Sequence, residues 1–391
     1  MTPSARVQAA IEILDQVIAS ARDDGPPADT IVQRYFKTRR YAGSKDRRAV
    51  RELAYRAIRR SGELPDDGRS AMLGVADDDA ELALLFDGSA HGPSARGEET
   101  GAAAALLPRW IEPELSEHVT SDEWPALLDR APLDLRVNIA RADRDEVAGA
   151  FESAAPTRLS PWGLRLPADT RIDDHPAFID GRVEVQDEGS QLIALACNPA
   201  DGLRILDLCA GAGGKSLALA AVAPEAEIIA SDTNRARLGQ LAPRAARAGA
   251  RVTTRLLDGG KEAAQLADLE GQCDVVLVDA PCSGSGTWRR NPEGRWRLTP
   301  ERLDKLVSLQ QHLLELGMPL VKPGGALVYA TCSILHREGA EQAGNFLGRH
   351  SSWLGQDVPF DGGRAEGPGQ LLTPAHDATD GFFVARFVRP C

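Results

Sequence analysis

From about residue 180 onward, short apolar runs with strand character alternate with segments of helical periodicity. This alternation is typical of a doubly wound parallel sheet with helices on both faces, so it indicates the α/β fold class. Five runs predict parallel strands and the last predicts an antiparallel edge strand: LRILDL (203–208), EIIAS (227–231), VTTRLL (252–257), DVVLV (274–278), ALVYAT (326–331) and GFFVARFV (381–388).

A long helix is predicted before the fifth strand. Thr299 is a suitable N-cap, Pro300 suits the first turn, and leucines recur at helical spacing from 303 to 316. The helix should end before a glycine turn, KPGG (322–325).

The first half of the chain has a different organisation. Helical spacing at 6–21 and 48–59 predicts a small helical domain, and the acidic stretch 61–108 predicts peripheral helices and mobile loops. A strand–helix–strand pattern follows over 132–167. We therefore expect three parts: a helical domain (1–128), a small α/β connector (129–180) and the parallel-sheet domain (181–391).

The charge is unevenly distributed. The formal net charge is −12, yet residues 31–60 carry eleven Lys or Arg against two Asp or Glu, while residues 61–130 carry four against sixteen. Screening limits an exposed charge to about 8–10 Å, so a local basic patch can bind phosphate on an acidic protein. A solvated helix face explains the same charges equally well.

Acids and thiols follow the predicted strands, where ligands bind in such sheets. Asp207, Asp232 and Asp258 come at the ends of the first three strands. Asp279 with Cys282 follows the fourth strand, and Cys332 follows the fifth. One such acid alone is better explained as a helix cap, but the set favours a ligand site.

A glycine turn, CAGAGGK (209–215), follows the first strand. Its glycines let the backbone approach a ligand at a helix start. A phosphate-binding P-loop would need glycine where Cys209 stands, and the dinucleotide fingerprint lacks its third glycine. An acid ending the next strand suits S-adenosylmethionine better, with Asp232 as the ribose ligand.

Two thiols and an acid suggest a specific reaction. A thiolate added at C6 of cytosine makes C5 able to accept a methyl group, an acid near N3 stabilises the adduct, and loss of the C5 proton releases the thiol. Asp279, Cys282 and Cys332 supply these groups. The residues alone leave open which thiol attacks, and Cys197, Cys273 and Cys391 are interpreted as structural.

The segment after Cys282, SGSGTWRRNPEGRWR (283–297), interleaves Trp288 and Trp296 with four arginines. Arginine can hold phosphates while tryptophan stacks on unpaired bases, which predicts an RNA-binding loop. The alternative is a surface loop whose tryptophans are buried.

Four blocks resemble the Sun-type (RsmB-like) family of RNA cytosine-5 methyltransferases over about residues 130–391: VEVQDEGSQ (183–191), ILDLCAGAGGKS (205–216), VLVDAPCSGSGTWRRNP (276–292) and LVYATCS (327–333). The segment 41–60 resembles the NusB-like helical domain of bacterial ribosomal RNA members. The resemblance implies a Rossmann-like catalytic domain, an RNA-binding NusB-like domain and an RRM-like connector.

The resemblance also implies residue roles. Cys332 would attack C6, Cys282 would assist product release, and Asp279 would contact cytosine and cofactor. The cofactor would be bound by the glycine turn, by acids and by a cation: Cys209, Ala210, Gly211, Ala212, Gly213, Gly214, Lys215, Asp232, Arg237, Asp258 and Asp279. The substrate would be contacted by Lys215, Pro281, Arg290 and Asn291. Gly211-Ala212 departs from the Ala-Pro of many members, which should alter the stiffness of the turn.

We therefore expect a cytoplasmic, monomeric enzyme that uses S-adenosylmethionine, binds RNA and needs no metal or membrane. Six cysteines without CxxC spacing fit a reducing compartment and no zinc ribbon. Ribosomal RNA is favoured as substrate, with transfer RNA second. The rival classes are a non-catalytic ribosome-assembly factor and a P-loop nucleotide hydrolase.

Overall fold

The computed structural model describes residues 1–23 and 25–391. The chain divides into two compact units. The first, the helical unit, comprises residues 1–115, 120–129 and 287–302. The second, the sheet unit, comprises residues 116–119, 130–286 and 303–391.

Residues 1–129 form five helices: α1 (Pro3–Arg22), α2 (Ala28–Lys37), α3 (Ser44–Arg60), α4 (Gly68–Asp77) and α5 (Ala80–Ala83). The predicted helices correspond to α1 and α3. Thr2 caps α1 by accepting a hydrogen bond from the Ala5 N–H at 3.2 Å, and its buried face includes Val7, Ile13, Leu14, Val17 and Ile18.

The interpretation of residues 61–108 as peripheral was wrong for α4. This helix packs against α1 and α3, and Met72, Leu73 and Val75 are buried in the core of the helical unit. A reciprocal cap between Asp67 and Ser70 starts the helix. The acidic composition around it hid a short apolar run, AMLGVA (71–76).

Residues 130–196 form a small sheet with three helices: β1 (Leu133–Val137), α6 (Arg144–Ala148), β2 (Ala155–Pro156), β3 (Gly163–Leu166), α7 (Pro176–Ile179), β4 (Val183–Val185) and α8 (Glu188–Ala196). The strands are antiparallel in the order β2-β3-β1-β4. This is the order of a β-α-β-β-α-β unit. Leu135, Val147 and Leu164 lie in its own apolar core.

Residues 197–391 contain the remaining elements: β5 (Arg204–Asp207), α9 (Gly214–Val222), β6 (Glu227–Asp232), α10 (Arg235–Leu238), α11 (Leu241–Ala248), β7 (Thr253–Leu256), α12 (Glu262–Gln265), β8 (Cys273–Asp279), α13 (Gly294–Arg297), α14 (Pro300–Gly317), β9 (Val321–Thr331), α15 (Ala340–Arg349), β10 (Leu354–Gln356), β11 (Arg364–Glu366), β12 (Gly369–Leu372), α16 (Pro374–Asp377) and β13 (Phe382–Val388).

The large sheet has the order β7-β6-β5-β8-β9 in parallel, followed by antiparallel β13, β12 and β11. This confirms the predicted α/β class and the five parallel strands. The strand order reverses between β5 and β8, and such a switch point opens a crevice at the carboxyl ends of the strands. The predicted acids and thiols come at or just after the carboxyl ends of these parallel strands.

Two local predictions for the sheet were wrong. The last strand, β13, is not at an edge, because β9 and β12 pair with its two sides. The turn predicted at 322–325 lies inside β9, where the register against β8 shifts between Cys273 and Val275, although Gly324 has the predicted positive φ, +74°. The Thr299 cap was correct: its hydroxyl accepts a hydrogen bond from the Arg302 N–H at 3.2 Å.

No helix in residues 1–23 and 25–391 is long and apolar enough to cross a membrane. Within the same ranges, no group of three His, Cys, Asp or Glu side chains is placed to hold a metal ion.

Candidate active site

A cavity of about 580 Å³ lies at the carboxyl ends of the parallel strands in the sheet unit. Seven of the predicted site residues line it: Cys209, Asp232, Arg237, Asp279, Pro281, Cys282 and Cys332. Leu208, Leu257 and Leu313 contribute apolar walls, and Asn234 and His312 contribute polar ones. Residues that are up to 123 positions apart in the chain thus meet in one crevice.

The two cysteines of this cavity are in contact. The Sγ atoms of Cys282 and Cys332 are 3.4 Å apart, and both side chains are partly exposed. The hydrogen bond with Cys332 and burial raise the pKa of the Cys282 thiol well above its usual value. Either sulfur can donate its S–H to the other, so the two thiols are close enough to share a hydrogen bond.

Lys215 and Asp279 form an ion pair at the edge of the cavity. The Lys215 Nζ is 2.6 Å from an Asp279 carboxylate oxygen, and Lys215 is largely buried. Burial alone would lower the pKa of Lys215, but the Asp279 carboxylate holds it above the usual value. The ammonium ion also interacts electrostatically with Cys332.

The glycine turn between β5 and α9 is held from two sides. Gly211 and Gly213 have φ of +55° and +80°, and a Cβ at Gly213 would lie 2.1 Å from Leu241. The Asp232 carboxylate accepts a hydrogen bond from the Gly211 N–H at 2.7 Å. Because no other residue fits both the left-handed backbone and the space, glycine is required at 213.

Asp207 lies under this turn at the end of β5. It is 1% exposed, and it accepts a hydrogen bond from Ser216 Oγ at 2.6 Å. Burial raises its pKa to about 7. Its place beneath the turn indicates that it supports the backbone from below.

The other predicted site residues are not among those that line this cavity. Asp258 is exposed, and its carboxylate accepts a hydrogen bond from the Gln265 side chain at 3.2 Å. Its neighbours Leu257 and Gly259 line the cavity. Arg290 and Asn291 belong to residues 287–302 of the helical unit, where Arg290 is half-buried and Asn291 is exposed.

The tryptophans after Cys282 do not form an exposed stacking surface, which corrects that interpretation. Trp288 is 1% exposed and Trp296 is 6% exposed. Within the helical unit, the Trp296 Nε1–H donates to the Ser61 carbonyl at 2.8 Å. The buried Arg295 donates to the carbonyls of Ile58 and Ser61 at 2.6 and 2.9 Å. These side chains satisfy carbonyls at the carboxyl end of α3, so their role is structural.

Two acids that the sequence analysis did not single out hold the site together. Glu184 forms ion pairs with Arg247 and, at 3.0 Å, with Arg244. Arg244 in turn donates to the Ala212 carbonyl of the glycine turn at 2.6 Å. Glu184 stands in the VEVQDEGSQ block, which could have marked it.

Glu338 is the second of these acids. It is fully buried, and it accepts hydrogen bonds from Ser283 and Ser333, the residues that follow the two cysteines. The sequence feature that could have indicated such an acid is the Cys-Ser pair, which occurs at 282–283 and again at 332–333. Two equivalent serines on neighbouring strand ends can share one acceptor.

Comparison with known proteins gives a consistent result. Residues 194–388 match the family model described as 16S rRNA methyltransferase RsmB/F. The ribosomal RNA small subunit methyltransferase B of Salmonella paratyphi C is 35% identical over 298 residues, which cover 74% of this chain and 68% of the relative. The corresponding protein of Salmonella choleraesuis is similar to the same extent.

Solved structures share the fold. The crystal structure of PH0851 superimposes with a TM-score of 0.77 at 24% identity and covers 99% of both chains. The structure of NSun6 from Pyrococcus horikoshii with SFG has a TM-score of 0.64 at 18% identity, and covers 72% of this chain and 98% of that one.

Proposed function

Because this chain belongs to the RsmB/F family of RNA methyltransferases, we propose that it methylates C5 of a cytosine in ribosomal RNA, with S-adenosylmethionine as the methyl donor. The observation that carries the proposal is the contact between Cys282 and Cys332, 3.4 Å apart, in a cavity that Asp279 also lines. Methylation at C5 requires a sulfur nucleophile for C6, and this contact keeps one thiol protonated while the other is free to attack.

The cavity suits S-adenosylmethionine in the chemistry of its walls. Asp232 ends the second parallel strand, the position from which an acid binds a ribose hydroxyl in related sheets. Leu208, Leu257 and Leu316 offer an apolar surface for a base. When bound, this cofactor supplies an electrophilic methyl group. The proposed cofactor residues are those of the glycine turn (209–215) with Asp232, Arg237, Asp258 and Asp279.

In the first step, Cys332 attacks C6 of the cytosine. The new C–S bond takes its electron pair from sulfur, and the ring electrons move towards N3, where Asp279 contacts the base. In this proposal the Lys215 ammonium, which interacts electrostatically with Cys332, and an S–H donated by the adjacent Cys282 stabilise negative charge on the attacking sulfur. The ring is then enamine-like, and C5 can accept the methyl group.

In the second step, Cys332 leaves. Loss of the C5 proton restores the double bond between C5 and C6, and the electron pair of the C–S bond returns to sulfur. Cys282 assists this step because its S–H can again donate to the departing thiolate. Without that donor the covalent adduct should persist.

The target base has to leave its stack to reach these thiols. Lys215 and Pro281 are proposed to contact the cytosine, and Arg290 and Asn291 the neighbouring nucleotides. The helical unit offers further phosphate contacts, since Arg40, Lys45 and Arg48 are all exposed.

Labelled S-adenosylmethionine incubated with unmodified ribosomal RNA, and separately with transfer RNA, tests the proposal by nucleoside analysis. We expect labelled 5-methylcytidine in the ribosomal RNA. If label appeared only in transfer RNA, transfer RNA would be the substrate instead. Cofactor binding without transfer to either RNA, or to immature small ribosomal particles, would instead support a non-catalytic assembly factor.

A further inference from the structure

The two catalytic loops share one buried anchor. Cys282 is followed by Ser283, and Cys332 is followed by Ser333. Ser333 Oγ donates to a Glu338 carboxylate oxygen at 2.6 Å. The Ser283 N–H donates to the other oxygen at 2.8 Å, and the Ser283 hydroxyl also donates to the carboxylate. One side chain therefore binds the residue next to each reactive thiol.

Glu338 is itself held in place on both its side chain and its backbone. The Gln310 amide donates to the carboxylate at 2.9 Å and to the Pro281 carbonyl at 3.0 Å. The Tyr329 hydroxyl donates to the Glu338 carbonyl at 2.7 Å. Gln310 thus extends the same network to the residue that precedes Cys282.

The buried position of the Glu338 carboxyl group is energetically unfavourable and needs an explanation. Glu338 is 0% exposed, and the donors to its carboxylate named above are all neutral. Burying a charged group without an opposite charge is unfavourable even when it is hydrogen-bonded. Ser283 and Ser333 also contact each other, with their hydroxyl oxygens 3.3 Å apart. Glu338 is nevertheless buried where it binds the residues that follow both cysteines.

We propose that Glu338 is a positioning residue that sets the separation of the Cys282 and Cys332 sulfur atoms through Ser283 and Ser333. The inference rests on the proposed function for its catalytic consequence. A misplacement of about 1 Å can lower a rate by about a hundredfold. Loss of the anchor should therefore affect the chemical step, while the cofactor residues on β5 and β6 keep their places.

The test compares Glu338→Gln with Asp377→Asn as a matched control. Asp377 is equally buried and accepts hydrogen bonds from the Gly363 and Thr373 N–H groups at 2.9 and 3.0 Å, away from both cysteine loops. We expect Glu338→Gln to lower kcat by about 10- to 100-fold, with the Kd for S-adenosylmethionine changed by less than about twofold. Asp377→Asn should keep the wild-type kcat.

A second readout reports the sulfur geometry directly. Diamide takes two electrons and two protons from a pair of adjacent thiols, and leaves a disulfide. Its rate of joining Cys282 to Cys332, followed by peptide mapping, should fall at least about tenfold in Glu338→Gln and stay unchanged in Asp377→Asn. The cross-linking rate can be measured even if the wild-type protein methylates no RNA. Absence of methylation would contradict the proposed function but not the positioning role of Glu338.

Equal kcat and equal cross-linking rates in Glu338→Gln and Asp377→Asn would overturn the proposal. If Glu338→Gln does not fold, the double variant Ser283→Ala/Ser333→Ala decides by the same two measurements. Slower methylation and slower cross-linking would support the anchor, and wild-type values for both would refute it.

Discussion

In the proposed reaction Cys282 and Cys332 have different roles, although their side chains are chemically alike. Their sulfur atoms are 3.4 Å apart, and either can donate to the other. The sequence alone could not separate the two thiols by spacing or by neighbouring residues. It also could not show their contact, because the two cysteines lie on separate loops whose distance only the folded chain defines.

Substitution of each thiol should therefore have a distinct effect. Cys332→Ala should abolish methylation and any covalent protein–RNA complex. Cys282→Ala should leave the attack possible but slow the release, so that RNA accumulates on the protein. A denaturing gel with labelled RNA separates these results, and Cys391→Ser, at an exposed position, is the control. Equal, complex-free loss in both variants would contradict the assigned roles.

Asp207 should make the stability of the sheet unit depend on pH. Burial raises its pKa to about 7, while an unfolded Asp titrates near 3.9. Between these values the folded state holds the proton more tightly, so wild-type stability should decrease as pH rises from about 4 to about 7. The slope is at most about 1.4 kcal/mol for each pH unit.

Asp207→Asn removes this effect and keeps an acceptor for Ser216. Urea unfolding at several pH values should show the variant gaining stability relative to wild type as pH rises through this window, with no further gain above about pH 7. Asp169→Asn, at an exposed site, should follow wild type. Parallel curves for wild type and Asp207→Asn would exclude a raised pKa for this carboxyl.

Among whole elements, the inner parallel strands β5, β6, β8 and β9 were predictable because each contains an apolar, buried run bounded by turn residues. The outer strands β10, β11 and β12 were not, since runs such as Arg364–Glu366 carry charged residues and are short. β10 and β12 are held by pairing with β13, and β11 by pairing with β12. The segment 287–302 was partly misinterpreted for another reason: Arg295, Trp296 and Arg297 look like RNA ligands, but they bind backbone carbonyls within the helical unit.

The turn between α2 and α3 should be a surface for RNA. Arg40, Lys45 and Arg48 are exposed, Tyr41 between them is 75% exposed, and no Asp or Glu in residues 1–23 and 25–391 forms an ion pair with these three cations. In contrast, Arg39 and Arg51 are paired with Glu12 and Asp29. Free cations around an exposed aromatic ring suit phosphates next to an unpaired base.

Reversing the three charges, Arg40→Glu/Lys45→Glu/Arg48→Glu, should weaken RNA binding by at least about tenfold at moderate salt and reduce its salt dependence. The neutral triple variant with Gln should lose less, in proportion to charge. Filter binding over a salt series measures both, and melting temperatures should stay close to wild type. Unchanged affinity in the Glu variant would show that RNA uses another surface.

On the scale of the whole molecule, the net charge of −12 is a poor guide to the partner. The exposed cations Arg40, Lys45 and Arg48 occupy one stretch of the helical unit. In the sheet unit, Asp232 and Asp279 line the cavity, and Glu184 and Glu338 are buried. The overall composition does not distinguish these groups of charged residues, whereas their positions along the chain do. The site could be predicted for this reason, even though its anchors could not.

Residues 287–302 lie between two catalytic elements in the sequence, yet they complete the helical unit. Arg297 binds the carbonyls of Gly25 and Pro26 before α2, and Glu293 accepts the first N–H of that helix, from Ala28. Exchanging only residues 1–129 between two relatives would separate α2 from the residues that cap its start. A chimaera that takes residues 1–129 and 287–302 from one relative and the rest from another therefore needs three crossovers rather than one, after residues 129, 286 and 302.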